Sequence, residues 1–218
     1  MEKNYIADYY EFLNKFPKTE LGLMSNGTWQ MDPRRLAITL SRYKFVSKML
    51  AGCESAVEVG CGDAFASRIV QQEVQNLTVV DIEPYFIDDI NKRQNEKWPL
   101  DAKVHDILNG PLQKKYDAAY SLDVLEHIDS GSEEAFLHNI KRSLVEKGVA
   151  IIGMPSIESQ QYASPASKAG HINCKSGTEL KKVCQKHFSN VFVFSMNDEV
   201  VHTGFYPMAH YLLALCVK

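Results

Sequence analysis

From Val57 onward the chain alternates between two patterns. Short, nearly continuous apolar runs ("SAVEVG", "NLTVVDI", "DAKVHDI", "KYDAAYSL" and "GVAIIGMP") are rich in valine and isoleucine. Strands buried on both faces of a parallel sheet have this character. Between them lie helical patterns: "ASRIVQQEV", "YFIDDINKRQ" and "SEEAFLHNIKRSLVEK". Ser132 is placed to cap the last of these, and Gly148 follows its end. Strands and helices in alternation predict βαβ units with right-handed crossovers, hence an α/β, doubly wound sheet.

Two regions flank this core. Residues 1–51 have a helical character, clearest in "DPRRLAITLSRYKFVSKML", where Asp32 is the expected N-cap and Pro33 lies in the first turn. After the fifth run comes a loop-like stretch, "PSIESQQYASPASKAGHINCKSG". A helix "TELKKVCQKHF" and two strand-like runs, "NVFVFSMN" and "HYLLALCVK", complete the chain. No internal repeat and no linker divides it, so one domain spanning residues 1–218 is expected, with 1–51 as a helical cap on the substrate side and 52–218 as the core.

Composition narrows the class. Of 218 residues, 45% are apolar and 23% charged, with a net charge of −3 and no basic stripe, so no nucleic-acid partner is expected. No run approaches the roughly 20 apolar residues of a membrane span, and nothing resembles a targeting segment. Five cysteines without a C-x-x-C pair argue for a reducing compartment, and the expected location is cytoplasmic.

The chemistry concentrates in "VEVGCGDAF", Val57–Phe65. In an open parallel sheet, ligands bind beyond the carboxyl ends of the strands, where the first strand turns into its helix. Gly60-Cys61-Gly62 forms that turn, and Asp81 follows at the end of the next run, 81 − 62 = 19 residues on. This is the separation expected of an acid that binds ribose hydroxyls. A dinucleotide fits poorly: the third glycine of its fingerprint would fall at Phe65, and Asp63 stands where a pyrophosphate needs unopposed N–H donors. A ligand without phosphate and with a positive group suits the turn better.

These residues resemble the class I S-adenosylmethionine-dependent methyltransferases, over Arg42 to Pro155. The resemblance implies a Rossmann-like, seven-stranded, mostly parallel sheet, with "HYLLALCVK" as its antiparallel C-terminal strand. It implies S-adenosylmethionine as cofactor and S-adenosylhomocysteine as product. It assigns Glu58 to ordering the glycine loop, Gly60 and Gly62 to the methionine part of the cofactor, and Asp81 to the ribose. Ile82 would pack on the adenine, Asp106 would accept from its amino group with Ile107 alongside, and Ser121, Leu122 and Asp123 would border the methionine end. Arg42 matches a position that pairs with the cofactor carboxylate. One departure is Ala64, where the family motif has its third glycine.

Other constellations compete. His171, Cys174, Cys184 and His187 form H-x-x-C and C-x-x-H halves with zinc-ligand residue types. Leu180, Val183, Cys184, His187 and Phe188 fall on one helical stripe, however, so a buried face is the stronger reading. Asp123-x-x-Glu126-His127 with a distant histidine resembles a magnesium-binding variant of RNA 3′-end methyltransferases, but "LEHI" is also found in metal-free relatives. No metal is expected.

Methyl transfer is an in-line displacement, so alignment of donor and acceptor dominates, with a base needed for some acceptors. His171 in "AGHIN" is the first candidate base and His202 the second. Trp29, Arg34, Tyr43 and Tyr206 are the leading candidates to contact the acceptor, with Arg35, Lys44, Tyr162 and His210 also offered by the N-terminal helices and the loops after strands four to six. Guanidinium forks and aromatic rings suit a polar molecule such as a sugar, a phosphorylated metabolite or a small acid. The expected function is methylation of a small molecule, at oxygen rather than nitrogen because a candidate base exists. A cofactor-binding regulatory protein and a nicotinamide-dependent oxidoreductase are the alternatives.

Overall fold

The computed structural model describes residues 2–16 and 18–218, and of residues 2–4 the backbone alone. Met1 and Pro17, included in the helical reading of the first 51 residues, lie outside the described residues. Three helices come first: α1 (Glu2–Asn14), α2 (Leu23–Met31) and α3 (Pro33–Met49). The sheet then builds as β1 (Ser55–Val59), α4 (Ser67–Gln71), β2 (Asn76–Asp81), α5 (Pro84–Lys92), β3 (Asp101–Val104), β4 (Tyr116–Leu122), α6 (Glu133–Arg142) and β5 (Leu144–Pro155). It ends with α7 (Pro165–Gly170), α8 (Gly177–Gln185), β6 (Asn190–Asn197), β7 (Val200–His202) and β8 (Tyr211–Val217).

The strand order is β3-β2-β1-β4-β5-β8-β6-β7. Strands β1 to β5 are parallel, and β8 inserts antiparallel between β5 and β6. The chain runs outward from β1 to β3, then crosses back to β4, so the switch point lies at the carboxyl ends of β1 and β4. That is where an open α/β sheet forms its crevice. Alternate residues of the same strands enter two separate cores. Val57, Val80 and Ala119 face Phe136 and Leu137 of α6 and Leu180 of α8. Ala56, Val79 and Ala118 face Val46 of α3, Val70 of α4 and Ile87 of α5. Burial on both sides explains the unbroken apolar runs.

The structure corrects four expectations. The sheet has eight strands, not seven, because a short hairpin adds β7 against β6. The helix expected over 132–147 stops at Arg142: the Ser143 hydroxyl takes the Leu112 N–H at 2.9 Å, and Leu144 already pairs with Tyr116 in the sheet. The loop-like stretch after β5 contains α7. Asp32 and Ser132 sit at helix starts, but neither side chain caps; Asp32 pairs instead with Arg34 at 3.3 Å. No helix among the described residues is long and apolar enough to cross a membrane.

Candidate active site

The turn after β1 has left-handed backbone at Gly60 (φ 78°) and Gly62 (φ 51°), a conformation that costs glycine little. A Cβ on Gly60 would overlap Val124, and one on Gly62 would come 2.8 Å from Met24 Sδ. The Gly60 and Cys61 N–H groups both donate to the Val80 carbonyl, at 2.8 and 3.1 Å, which ties the turn to the end of β2. There the buried Asp81 carboxylate accepts from Gly62 N–H at 2.8 Å and from Glu83 N–H at 3.0 Å. One carboxylate thus fixes the glycine turn at its second glycine.

Behind the turn, Glu58 is fully enclosed. Its carboxylate accepts from Tyr43 Oη at 2.7 Å, Tyr120 Oη at 2.8 Å and the Ser67 hydroxyl. Burial pushes this acid up to about 7, against the pull of the three hydroxyls. Glu58 joins α3, α4 and β4 rather than bonding the glycines themselves. Tyr43, expected on the acceptor side, is committed to this hub: it is buried, and its ring meets that of Tyr120 edge-on with centroids 6.1 Å apart.

Most of the other cofactor candidates lie at or just beyond the carboxyl ends of β2, β3 and β4. Ile82, just past β2, is exposed over 56% of its surface, an apolar side chain left open at a strand end. Asp106 accepts from Leu108 N–H at 2.9 Å and Asn109 Nδ2 at 2.7 Å, while Ile107 is buried and its carbonyl takes Asn139 Nδ2 at 2.8 Å. Ser121 donates to the Val59 carbonyl at 2.7 Å, which locks β4 to β1, and Leu122 is buried. Arg42 reaches from α3 to Asp123 at 2.6 Å, and its guanidinium carbon lies 3.7 Å from the centre of the Tyr211 ring. Its Nε is enclosed and has no partner, while Asp123 holds a left-handed φ of 57°.

Beyond β4, three side chains converge. Ligand atoms of Glu126, His127 and His171 all lie within 4.8 Å of one another. Glu126 is fully buried with both oxygens unpaired, and burial together with nearby Asp123 pushes its carboxyl up to about 9. His127 Nδ1 faces the Gly170 carbonyl at 2.8 Å, so that nitrogen carries the proton and Nε2 is bare, 4.0 Å from Glu126 Oε1. His171 Nδ1 likewise meets Gln160 Oε1 at 2.8 Å, which leaves its Nε2 bare. Burial, with His127 adding to it, lowers the His171 pKa.

His202 stands apart from this cluster. Its Nε2 faces Asn197 Oδ1 at 2.8 Å and its Nδ1 accepts from Gly204 N–H at 2.9 Å, so both nitrogens are spent on the β6–β7 hairpin. Tyr206 packs its ring over Gly177 at the start of α8 and donates to the Val193 carbonyl at 3.3 Å, facing the core instead of a ligand. Trp29 is half exposed on α2, and the Arg34 side chain is 91% exposed beside Asp32. The zinc halves do not assemble: Cys184 is buried in the main core, and the His187 ring meets that of His138 edge-on instead.

A methyltransferase-domain family model matches residues 57–152, from β1 through most of β5. Over those residues the chain is similar to a methyltransferase domain. Solved methyltransferases share its fold at low identity. The methyltransferase domain of a bacterial Hen1 is 15% identical with a TM-score of 0.67, covering 83% of this chain and 100% of that one. An S-adenosylmethionine-dependent methyltransferase from Clostridium acetobutylicum is 12% identical with a TM-score of 0.69, covering 89% and 97%. The N-methyltransferase NodS from Bradyrhizobium japonicum, in complex with S-adenosylhomocysteine, is 18% identical with a TM-score of 0.61, covering 87% and 91%. No curated protein sequence matches the chain.

The sequence resemblance implies S-adenosylmethionine as cofactor, and the residues present fit it. The unpaired Arg42 Nε is a buried donor suited to a carboxylate, the open Ile82 offers an apolar face to a purine, and the buried Asp81 carboxylate stands one strand away. Two long-range pairings escaped sequence reasoning. Asp63 does not oppose a ligand: its carboxylate turns to α2 and accepts from Ser25 N–H at 2.7 Å. Tyr211 forms the floor under Arg42, with its hydroxyl buried and unpaired. Neither residue has a local signal, because each partner lies far away in sequence.

Proposed function

We propose that the enzyme transfers the methyl group of S-adenosylmethionine to a hydroxyl of a polar small molecule, such as a sugar, a phosphorylated metabolite or a small acid. The observation that carries this reading is the bare Nε2 of His171, held by Gln160 beside Glu126 and His127. A hydroxyl must surrender its proton as it is methylated, and a fixed imidazole with a free lone pair can accept it. The cofactor supplies an electrophilic methyl group on a sulfonium. Asp81 would hold its ribose, Ile82, Asp106 and Ile107 its adenine, and Arg42 its carboxylate, while Gly60, Gly62, Ser121 and Leu122 border the methionine end. Trp29 and Arg34 would meet the acceptor. The whole chain is read as one domain with α1 to α3 as its cap.

Calorimetry with S-adenosylhomocysteine and a methyl-transfer screen over sugars, sugar phosphates and hydroxy acids test the reading. Against an acceptor found this way, His171→Ala lowers kcat at least tenfold while S-adenosylhomocysteine affinity stays unchanged. A variant with full turnover removes His171 as the base.

The unpaired, buried Glu126 carboxylate favours a second reading, in which Glu126, His127 and His171 hold a divalent cation. Each histidine donates its other nitrogen to an oxygen, the arrangement that orients metal-bound imidazoles. A bound cation would act as a Lewis acid toward the acceptor hydroxyl. With the likeness to the Hen1 domain, this brings in an RNA 3′-terminal ribose as acceptor; the net charge of −3 and the absence of a basic stripe place it second. On this reading, EDTA abolishes turnover, Mn²⁺ restores it, and Glu126→Gln loses the Mn²⁺ response. Turnover that is indifferent to EDTA rejects it.

A further inference from the structure

A helix exposes unpaired N–H groups in its first turn, and a side chain at its own N-cap ordinarily takes one of them. The N-cap of α2 is Gly22, which has no side chain to do so. The missing acceptor comes from the glycine turn, 38 residues away: Asp63 Oδ2 takes Ser25 N–H at 2.7 Å, and Oδ1 takes the Ser25 hydroxyl at 3.2 Å. The fit is close enough that any Cβ on Gly22 would overlap the Asp63 carboxylate. Asp63 is itself fixed from behind. It accepts from Phe65 N–H at 3.1 Å, and its carbonyl takes Arg93 Nη2 at 2.6 Å while Asp89 holds that guanidinium at 2.7 and 2.9 Å.

No residue of α2 is buried, so this helix has little apolar anchorage and depends on its cap. Its Met24 thioether nevertheless stands over Gly62, on the turn that Asp81 holds from the other side. We infer that α2 is a lid on the cofactor cleft, latched to the glycine turn by Asp63, and that Asp63 is a positioning residue for cofactor retention. The latch closes α2 across the turn, places Met24 at the wall of the cleft and carries Trp29 with it. Opening it requires that the two hydrogen bonds to Ser25 be exchanged for water and that Met24 leave its place over Gly62. The inference rests on the cofactor assignment made above for this cleft.

The test uses the 218-residue chain and three variants, two that break the latch and one that keeps part of it. Asp63→Ala removes the acceptor; Gly22→Ala forces the latch apart and leaves Asp63 bonded to Phe65. In both, S-adenosylhomocysteine dissociates at least tenfold faster in stopped flow, and its affinity falls about tenfold, while the thermal midpoint changes little. Asp63→Asn, whose amide oxygen can still accept from Ser25, recovers part of the difference. Hydrogen exchange at the amides of 23–27 in the ligand-free protein speeds up at least tenfold in Asp63→Ala. Wild-type dissociation rates in both variants overturn the lid. If the wild-type protein binds no S-adenosylhomocysteine, the cofactor assignment fails by itself, and exchange at 23–27 then decides: acceleration supports the latch and unchanged exchange overturns it.

Discussion

Replacing Asp81 with alanine weakens S-adenosylhomocysteine binding by about 100-fold, a loss near 2.7 kcal/mol, measured by calorimetry. Two effects combine. On the proposed reading the carboxylate holds the ribose hydroxyls, and a charged acceptor contributes about 1.5–3 kcal/mol per hydrogen bond. The same group fixes the glycine turn through Gly62 N–H and the start of α5 through Glu83 N–H. Its removal therefore loosens the surface that the ligand must meet. Asp81→Asn separates the two effects: one amide oxygen can serve either Gly62 or Glu83, but the NH₂ end then faces a donor. Its affinity falls between those of wild type and alanine. Unchanged affinity in the alanine variant removes Asp81 from the cofactor site.

What the sequence made legible follows from the range of each interaction. Parallel strands β1, β2, β4 and β5 were readable because burial on both faces enforces continuous apolar runs, a local property, whereas β3 is an edge strand with most of its residues exposed. The turn and its acid were readable because β1, the turn, α4 and β2 are contiguous and fix the spacing of Gly62 and Asp81. The end of α6 was not: "SEEAFLHNIKRSLVEK" keeps helical character through Lys147, and only pairing with Tyr116 draws Leu144 into β5. The three-residue strand β7 is below the length at which alternation can be seen.

The site divides in the same way. Residues tied to strand ends carried their signal locally. Pairings across the molecule did not: Arg42 meets Asp123 over 81 positions, and Asp63 meets Ser25 over 38. His171 and His127 were each noticed, but only folding the stretch after β5 back over β4 brings their rings to 5.2 Å. Tyr43, Tyr206 and His202 have residue types that suit an acceptor pocket, yet their polar atoms are spent on Glu58, Val193 and the β6–β7 hairpin. Residue type suggests a role; the hydrogen-bond partner decides it.

Glu58 carries the second large effect, on stability. Glu58→Ala lowers the unfolding free energy by about 3–5 kcal/mol, read by chemical denaturation, because it strands the Tyr43, Tyr120 and Ser67 hydroxyls without their acceptor. The charge of the acid has a separate signature. Its folded-state value of about 7 lies above that of an exposed glutamate, so the folded protein holds this proton more tightly than the unfolded chain does. Stability from this group is therefore full below about pH 4.5, declines as the pH rises toward 7, and is gone above it. With a difference of about 2.5 units the loss is about 3 kcal/mol. Glu58→Gln keeps the shape and an acceptor oxygen, and the hydroxyls can turn to accept from its amide. Relative to wild type, its stability profile is flatter between pH 4.5 and 7, so the two curves lie close together at acid pH and separate on the alkaline side, where the wild type has lost this contribution. Parallel curves across that window would mean that Glu58 stays ionised in the core, with the three hydroxyls fully offsetting its burial.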